Sequence, residues 1–183
     1  MYKGDHLKGE IEIVQENEVF SNKYATLFDD DVIFPSGTKG KYLRFKWNAP
    51  YGVMVLPTDS DGNVLLIKNF RHENRSWSWE IPKGFGEAHL TPLECAKKEL
   101  LEETGCSGTN WELFKVLPDG NQGVHVYTVE VMDKTTIDNQ EEFEAISEVK
   151  FFKRAELSTL LKNDLITDPM TMFFVAYRLS IDE

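Results

Sequence analysis

The chain has 183 residues, 41% of them apolar and 28% charged, which is enough for one globular domain with a small appended segment. Its formal net charge of −11 argues against a nucleic-acid-binding surface, because such a surface needs a basic stripe. An acidic protein that binds a phosphorylated ligand must supply a local cation, either clustered Lys and Arg or a metal ion.

Residues 1–48 are predicted to form a small β segment. The stretches EIEIVQ (10–15) and KYLRFKW (41–47) are typical of strands, and FPSGTKG (34–40) has the composition of a turn. The N-terminus lacks the apolar run of a signal peptide, and no stretch approaches the roughly 20 apolar residues of a membrane span. We therefore expect a soluble, cytoplasmic protein without a membrane partner.

Three further strands are predicted before the first long helix. The apolar runs VMVL (53–56) and VLLIKNF (64–70) flank the turn TDSDGN, and an Asp-Gly turn between such runs is typical of a hairpin. The third strand is SWSWEI (76–81). A hairpin followed by a short strand therefore leads into the helix.

The helix is marked at both ends. Thr91 offers an N-cap hydroxyl, Pro92 stands at the first helical position and Glu94 at the third, which together form a capping box. Gly105 stands where a glycine commonly ends a helix. The residues expected to face the core are Leu93, Ala96, Leu100 and Thr104.

Three glutamates crowd one side of this helix. Glu99, Glu102 and Glu103 are spaced i, i+3 and i+4, so their side chains project together. Each close pair costs on the order of 3 kcal/mol before screening, at an effective dielectric near 20. One interpretation is a solvated acidic face, with Lys97 and Lys98 as partial compensation. The other is a Mg²⁺ site, because Mg²⁺ prefers hard oxygen ligands and is commonly held by carboxylates and substrate phosphates.

The rest of the chain completes a layered domain. GVHVYTVEV (123–131) and VKFF (149–152) are predicted strands, RAELSTLLKN (154–163) is a predicted helix, and a last helix begins with Asp168 as N-cap and Pro169 after it. Strands followed by helices predict an α/β or α+β fold.

The two cysteines are expected to stay unpaired. Cys95 and Cys106 lie near opposite ends of the predicted helix, about 16 Å apart along its axis. A disulfide needs Cα atoms within about 7 Å. Free thiols fit a reducing compartment.

The stretch from Gly84 to Cys106 resembles the Nudix box, the loop–helix–loop signature of the Nudix hydrolases. That box runs G-x5-E-x7-R-E-U-x-E-E-x-G-U, with U a bulky aliphatic residue. The matching positions are Gly84, Glu99, Leu100, Glu102, Glu103 and Gly105, with Cys106 in the last apolar position.

Two positions depart from the box. Leu90 stands where Glu is usual, and Lys98 stands where Arg is usual. Lys98 keeps the charge but lacks the planar fork that pairs two carboxylates at once. We interpret Leu90 as a hydrophobic staple that packs on Cys95, with Glu87 supplying the loop carboxylate instead.

The resemblance implies a Nudix-type α/β/α sandwich with a mixed β-sheet, plus the small N-terminal β segment. Residues 49–183 would form the hydrolase domain, and residues 1–48 would serve dimerisation. The chemistry implied is hydrolysis of a nucleoside diphosphate linked to another moiety, with Mg²⁺, or alternatively Mn²⁺, as cofactor. The metal ligands implied are Glu99, Glu102 and Glu103, together with the carbonyl of Lys83 and with Glu87.

Over roughly residues 10 to 180, the chain is similar to the ADP-ribose pyrophosphatase branch of this family. The lead-in VMVLPTDSDGNVLLIKNFRHE, the turn WEIPKG and the tail ITDPMT carry this resemblance. It implies that ADP-ribose or a related nucleoside diphosphate sugar is hydrolysed to NMP and sugar phosphate by a homodimer.

The branch also implies roles for further residues. The catalytic candidates are Glu102 and Glu103 of the helix and Glu142 or Glu144 of an acidic loop, one of which would be the general base. Glu148 is close enough in sequence to compete, and a solvated acidic turn is the plainer interpretation of that loop. The substrate-binding candidates are Arg71, which would contact substrate or brace Glu80, and Lys83 and Gly84 in the turn.

Two alternatives stay open. The sequence PKG, rather than the PAG commoner in ADP-ribose enzymes, resembles Nudix enzymes that cleave dinucleoside polyphosphates, where Lys83 would meet a phosphate. Leu90 and Lys98 would instead fit a Nudix-fold module that binds a nucleotide without cleaving it.

Overall fold

A computed structural model describes residues 2–118, 122–134 and 145–181. The chain divides into two compact units, Met1–Ala49 and Pro50–Glu183. None of the helices in these described ranges is long and apolar enough to cross a membrane. The role of the first 48 residues in dimerisation stays a prediction.

Within residues 2–49, the first unit is a four-stranded antiparallel sheet built around β3 (Ala25–Ile33). β4 (Lys39–Trp47) pairs along the whole of β3, whereas β1 (Glu12–Gln15) and β2 (Glu18–Ser21) pair with different parts of it. β4 confirms the strand predicted over 41–47. The alternate residues of β4 that share one exposed face are Leu43, Phe45 and Trp47.

The second unit, in the part that the structure describes, contains a seven-stranded mixed sheet. Its strands are β5 (Gly52–Thr58), β6 (Val64–Arg71), β7 (Ser76–Glu80), β8 (Lys83–Phe85), β9 (Cys106–Leu117), β10 (Val124–Lys134) and β11 (Ile146–Phe152). The spatial order is β11, β6, β5, β10, β9, with β7 paired to β6 and β8 paired to β5. The β5–β10 pair is parallel and the others are antiparallel.

Helices cover both faces of this sheet. The described helices are α1 (Pro92–Thr104), α2 (Arg154–Lys162) and α3 (Pro169–Ile181). Leu65 of β6 belongs to the hydrophobic cluster of α1, and its neighbour Leu66 belongs to the cluster of α2 and α3. Because successive strand residues point to opposite faces, the sheet lies between two helical layers. The predicted α/β/α sandwich with a mixed sheet is confirmed.

The predicted ends of the helices are confirmed. Thr91 and Glu94 form the capping box of α1, and Gly105 closes the helix in the left-handed conformation at φ 70°. At α3, Asp168 Oδ2 accepts the N–H of Thr171 at 2.8 Å, so Asp168 is its N-cap. The hairpin between β5 and β6 is also confirmed, with Thr58 opposite Val64.

The sequence did not predict β8 or β9. β8 is only three residues long. β9 lacks a regular alternation of buried and exposed residues, and its pairing with β10 is interrupted by register shifts. Such bulges remove the period of two from which strands are predicted.

Candidate active site

The turn before β8 is held against the sheet. The Val55 N–H donates to the carbonyl oxygen of Pro82 at 2.9 Å, and β8 continues the pairing with β5. Further along, the Gly86 N–H donates to the carbonyl oxygen of Tyr51 at 2.8 Å. A Cβ on Gly86 would lie 2.3 Å from the Tyr51 ring, so only glycine fits there. The loop into α1 is therefore fixed along its length.

Gly84, the first residue of the motif, contacts Glu99 of α1. A Cβ on Gly84 would lie 2.1 Å from Oε1 of Glu99 and 2.2 Å from its Cδ. The carboxylate therefore lies directly against the backbone of the turn. A side chain at position 84 would occupy the position of this carboxylate, so Glu99 would have to move aside.

Glu103 is the most deeply placed of the three helix glutamates. Its side chain is buried, with the residue only 4% exposed, and Oε2 accepts the backbone N–H of Lys83 at 3.0 Å. A buried carboxylate is costly unless it is paired or hydrogen-bonded. The turn and α1 thus meet at two glutamates, Glu99 and Glu103.

Glu102 is bound to a lysine that also holds the preceding loop. Lys98 Nζ lies 2.9 Å from Oε2 of Glu102 and 2.9 Å from Oε1 of Glu87. Burial lowers the pKa of Lys98, but its hydrogen bonds with Glu102 and Glu87 outweigh burial and hold the pKa above its ordinary value. The hydrogen bond from Lys98 likewise lowers the pKa of Glu87.

The position of Leu90 agrees with its interpretation as an apolar anchor. Leu90 packs on the hydrophobic cluster that contains Cys95. Its carbonyl oxygen lies 2.6 Å from the Tyr51 hydroxyl, which is also 3.0 Å from the carbonyl oxygen of Glu87. The carboxylate of Glu87 contacts Lys98, so its predicted role as a metal ligand stays a prediction.

The predicted substrate-binding residues contact one another. The Arg71 guanidinium donates to both carboxylate oxygens of Glu80, with Nε at 2.9 and 3.0 Å. Glu80 is fully buried, and its Oε2 also lies 3.0 Å from Nζ of Lys83. Arg71 therefore braces Glu80, which is one of the two roles that we expected for it.

Asp168 completes this group of charges, and sequence reasoning missed it. Lys83 Nζ lies 2.7 Å from Oδ1 of Asp168. Burial raises the pKa of Asp168, but the charge of Lys83 and the hydrogen bonds from Lys83 and Thr171 outweigh it, so the pKa lies below its ordinary value. The sequence signalled only an N-cap at this position, although Asp168 belongs to the tail ITDPMT.

The general-base candidates Glu142 and Glu144 lie outside the described residues. The next described residue is Ala145, whose carbonyl oxygen accepts the N–H of Phe70 at 3.0 Å. Glu148, the competing candidate, lies 2.7 Å from Nζ of Lys68 in a partly exposed ion pair.

A second acidic group lies in the first unit. Among the described residues, only Asp5, His6 and Glu12 bring three ligand-type atoms within 4.8 Å of one another. These residues have partners in the protein, because His6 Nδ1 lies 2.6 Å from Glu12 and Asp5 caps a short helix and pairs with Lys8. We assign no site to this group.

The glutamates of α1 are less tightly gathered, since Glu99 and Glu103 contact the turn whereas Glu102 pairs with Lys98 of the same helix. Their donor set still fits a hard divalent cation, because it consists of three carboxylates on one helix beside the turn 81–84. The space that a Cβ on Gly84 would fill holds the Glu99 carboxylate, so the turn is shaped around this carboxylate. The residues that could hold a metal ion are Glu99, Glu102 and Glu103.

Comparisons with known proteins identify the family to which the chain is similar. A family model, the NUDIX domain, matches residues 49–172. The chain is 28% identical over 171 residues to the ADP-ribose pyrophosphatase of Bacillus subtilis, covering 90% of each chain. It is 25% identical over 173 residues to the methanol dehydrogenase activator of Bacillus methanolicus, again covering 90% of each.

The fold has a solved counterpart. The crystal structure of an ADP compounds hydrolase superposes with a TM-score of 0.73 at 19% identity, covering 92% of this chain and 91% of that one. At this identity the likeness concerns the fold.

Proposed function

Because this chain belongs to the Nudix family, we propose that it hydrolyses the pyrophosphate bond of ADP-ribose or a related nucleoside diphosphate sugar with Mg²⁺. The products would be NMP and a sugar phosphate. The family and the ADP-ribose pyrophosphatase of Bacillus subtilis, similar over 90% of both chains, indicate a pyrophosphohydrolase. The metal and the sugar are the finer parts of the proposal.

One observation supports the proposal above others. The carboxylate of Glu99 lies against Gly84, and the buried carboxylate of Glu103 accepts the N–H of Lys83. Two acidic side chains thereby contact a single turn of backbone, Glu99 where a Cβ on Gly84 would lie and Glu103 through a hydrogen bond. A merely solvated acidic face would not need such a fit.

The metal would be held by Glu99, Glu102 and Glu103, with Mn²⁺ as an alternative to Mg²⁺. When bound, it supplies positive charge to the diphosphate oxygens and activates a water molecule. The protein's own contribution is positional. Lys98 orients Glu102, the turn orients Glu99 and Glu103, and Glu142 or Glu144 is proposed to accept the proton of the attacking water.

The environment of Lys83 favours the sugar substrates over dinucleoside polyphosphates. Its ammonium is held by Glu80 and Asp168 at 3.0 and 2.7 Å, and its side chain is 18% exposed. A lysine that met an additional substrate phosphate would be expected to have an ammonium without two carboxylate partners in the protein. Glu80 and Asp168 therefore supply the counter-charges of Lys83 within the protein.

A homodimer is proposed through the sheet of the first unit. Leu43, Phe45 and Trp47 line one face of β4 and are 63%, 55% and 45% exposed. Such a contiguous apolar face is typical of an interface. Analytical ultracentrifugation should give a dimer for the wild type and a monomer for Phe45→Asp, with Lys46→Asp on the opposite face as the control. A monomeric wild type would contradict the proposal.

A cytoplasmic location is proposed from the thiols. Cys95 and Cys106 are both buried and unpaired. Reduced cysteines fit the cytosol.

A substrate panel tests the function. Wild-type protein would be incubated with ADP-ribose, several nucleoside diphosphate sugars and diadenosine tetraphosphate, each with Mg²⁺ or Mn²⁺. Phosphate would be measured with and without added phosphatase, because the expected products release phosphate only after phosphatase treatment. Preference for diadenosine tetraphosphate would overturn the substrate class. Tight ADP-ribose binding by calorimetry without turnover would replace hydrolysis by the binding-module alternative.

A further inference from the structure

Four charged side chains form a chain across the second unit. Arg71 pairs with Glu80, Glu80 pairs with Lys83, and Lys83 pairs with Asp168. Two cations and two anions leave the group neutral, as its burial requires. Asp168 is the only member that comes from the C-terminal helix, since it is the N-cap of α3.

The first turn of α3 also reaches the backbone before Lys83. Thr171 is fully buried, and its Oγ1 donates to Oδ2 of Asp168 at 2.6 Å. Oγ1 of Thr171 also accepts the N–H of Ile81 at 3.3 Å. Asp168 orients this hydroxyl, because a hydroxyl that donates its proton to Asp168 turns a lone pair towards Ile81.

Asp168 thus acts on the turn through two separate oxygens. Oδ2 acts through Thr171 on Ile81, and Oδ1 holds the ammonium of Lys83 directly. The backbone N–H of Lys83 donates to Glu103, the buried glutamate of α1. A displacement of the Lys83 backbone would therefore disturb its hydrogen bond with Glu103, a proposed metal ligand.

We propose that Asp168 is a positioning residue of the active site, which acts through Lys83 to hold the turn 81–84 against the glutamates of α1. The proposal rests on the proposed metal-dependent function. Without the charge of Asp168, the cations Arg71 and Lys83 would share the single carboxylate of Glu80. An unbalanced buried charge is costly, so the ammonium would move towards solvent and draw the turn with it.

Asp168→Asn separates the contact of Asp168 with Lys83 from its contact with Thr171. The amide oxygen can still cap α3 and accept from Thr171, and Asn is as good an N-cap as Asp. Its amide nitrogen cannot accept the ammonium of Lys83, so only the ion pair is lost. Asp168→Ser, which also keeps a capping oxygen, serves if the first variant does not fold.

The test compares wild type, Asp168→Asn, Lys83→Met and the double variant in two measurements that need no turnover. The first is Mn²⁺ affinity by electron paramagnetic resonance, and the second is the amide shift of Lys83 by NMR without metal. Outer-shell partners of a metal site commonly contribute 10- to 100-fold, so we expect Asp168→Asn to weaken Mn²⁺ binding about tenfold and to move the Lys83 amide. In the Lys83→Met background the same substitution should change Mn²⁺ binding by less than about twofold, because the two residues act as one unit.

Hydrolysis of ADP-ribose adds a third readout. Asp168→Asn should lower kcat about tenfold with little change in KM, since it displaces the metal ligands and not the sugar site. Glu156→Gln on α2, which breaks an exposed ion pair with Lys150 of β11, is the control and should leave all three readouts unchanged.

Two results would overturn the proposal. One is an Asp168→Asn protein with wild-type Mn²⁺ affinity and an unmoved Lys83 amide. The other is an equal loss of affinity in the wild-type and Lys83→Met backgrounds, which would mean that Asp168 does not act through Lys83. A wild type that binds Mn²⁺ but hydrolyses none of the substrates would overturn the proposed function alone.

Discussion

Replacement of Glu103 by Gln tests whether its carboxylate binds a metal ion or only holds the turn. Glu103 is 4% exposed, and its Oε2 accepts the Lys83 N–H at 3.0 Å. Gln has nearly the same shape, and its amide oxygen can accept the same hydrogen bond. The substitution therefore removes one negative charge and little else.

Activity and stability should respond in opposite directions. A carboxylate about 4 Å from a unit positive charge gains about 4 kcal/mol at an effective dielectric near 20, and a dication doubles this gain. Because water replaces the lost ligand and returns part of it, we expect a loss on the order of 4 kcal/mol, or about three orders of magnitude in kcat/KM. In EDTA, the loss of one of three like charges relieves repulsion, so the free energy of unfolding should stay the same or rise.

The assay is phosphatase-coupled hydrolysis of ADP-ribose at saturating Mg²⁺, alongside thermal unfolding in EDTA. Glu94→Gln on the same helix is the matched control, because Gln also completes a capping box and both readouts should stay at the wild-type level. Activity of Glu103→Gln within about tenfold of wild type would refute the metal role. So would a clear fall in its Tm, which would identify the carboxylate as structural.

Substitutions at three positions probe the same site. Gly84→Ala should weaken Mn²⁺ binding by about 100-fold in calorimetry, because its Cβ would displace the Glu99 carboxylate at 2.1 Å; unchanged affinity would contradict this. Lys98→Met should lower kcat about tenfold, since Glu102 loses its partner at 2.9 Å, and Lys98→Arg should restore most of it. The pKa of Asp168 is lowered in the folded protein, so its ion pair contributes full stability above the unfolded pKa near 3.9. This contribution is lost as the pH falls through the lower folded pKa. In urea unfolding, the free energies of unfolding of wild type and Asp168→Asn should therefore converge towards low pH.

The helix at the site could be predicted because its signals are local. The capping box of Thr91 and Glu94 and the left-handed Gly105 depend only on neighbouring residues, and the structure confirms both ends. The side-by-side placement of the glutamates follows from the helical period alone. The depth of Glu103 could not be predicted, because it depends on the turn that covers it.

The partner of Lys83 could not be predicted for the opposite reason. Asp168 lies 85 positions further along the chain by residue number, at the start of α3. No periodicity or turn signal connects the two residues, so only the folded chain shows that the ammonium faces a carboxylate. From the sequence, a substrate phosphate is one alternative partner of Lys83, and no pattern points to Asp168.

β9 shows a third limit. Asn110 adopts φ 54°, and the pairing of β9 with β10 shifts register between Val126 and Tyr127 and again further along. Each bulge turns the following side chains to the other face, so the strand never shows the period of two. Edge position and bulges together hide a twelve-residue strand from pattern analysis.

The two departures from the motif compensate for each other in the structure. Leu90 packs on the hydrophobic cluster and its carbonyl oxygen contacts the Tyr51 hydroxyl, so position 90 offers no anion. Glu87 places its carboxylate 2.9 Å from Lys98 instead. A lysine has three donors that are not confined to one plane, so Lys98 can bind Glu87 and Glu102 in different directions. Leu90 and Lys98 therefore argue for a relocated ion pair, which removes the main support for a module that binds nucleotides without cleaving them.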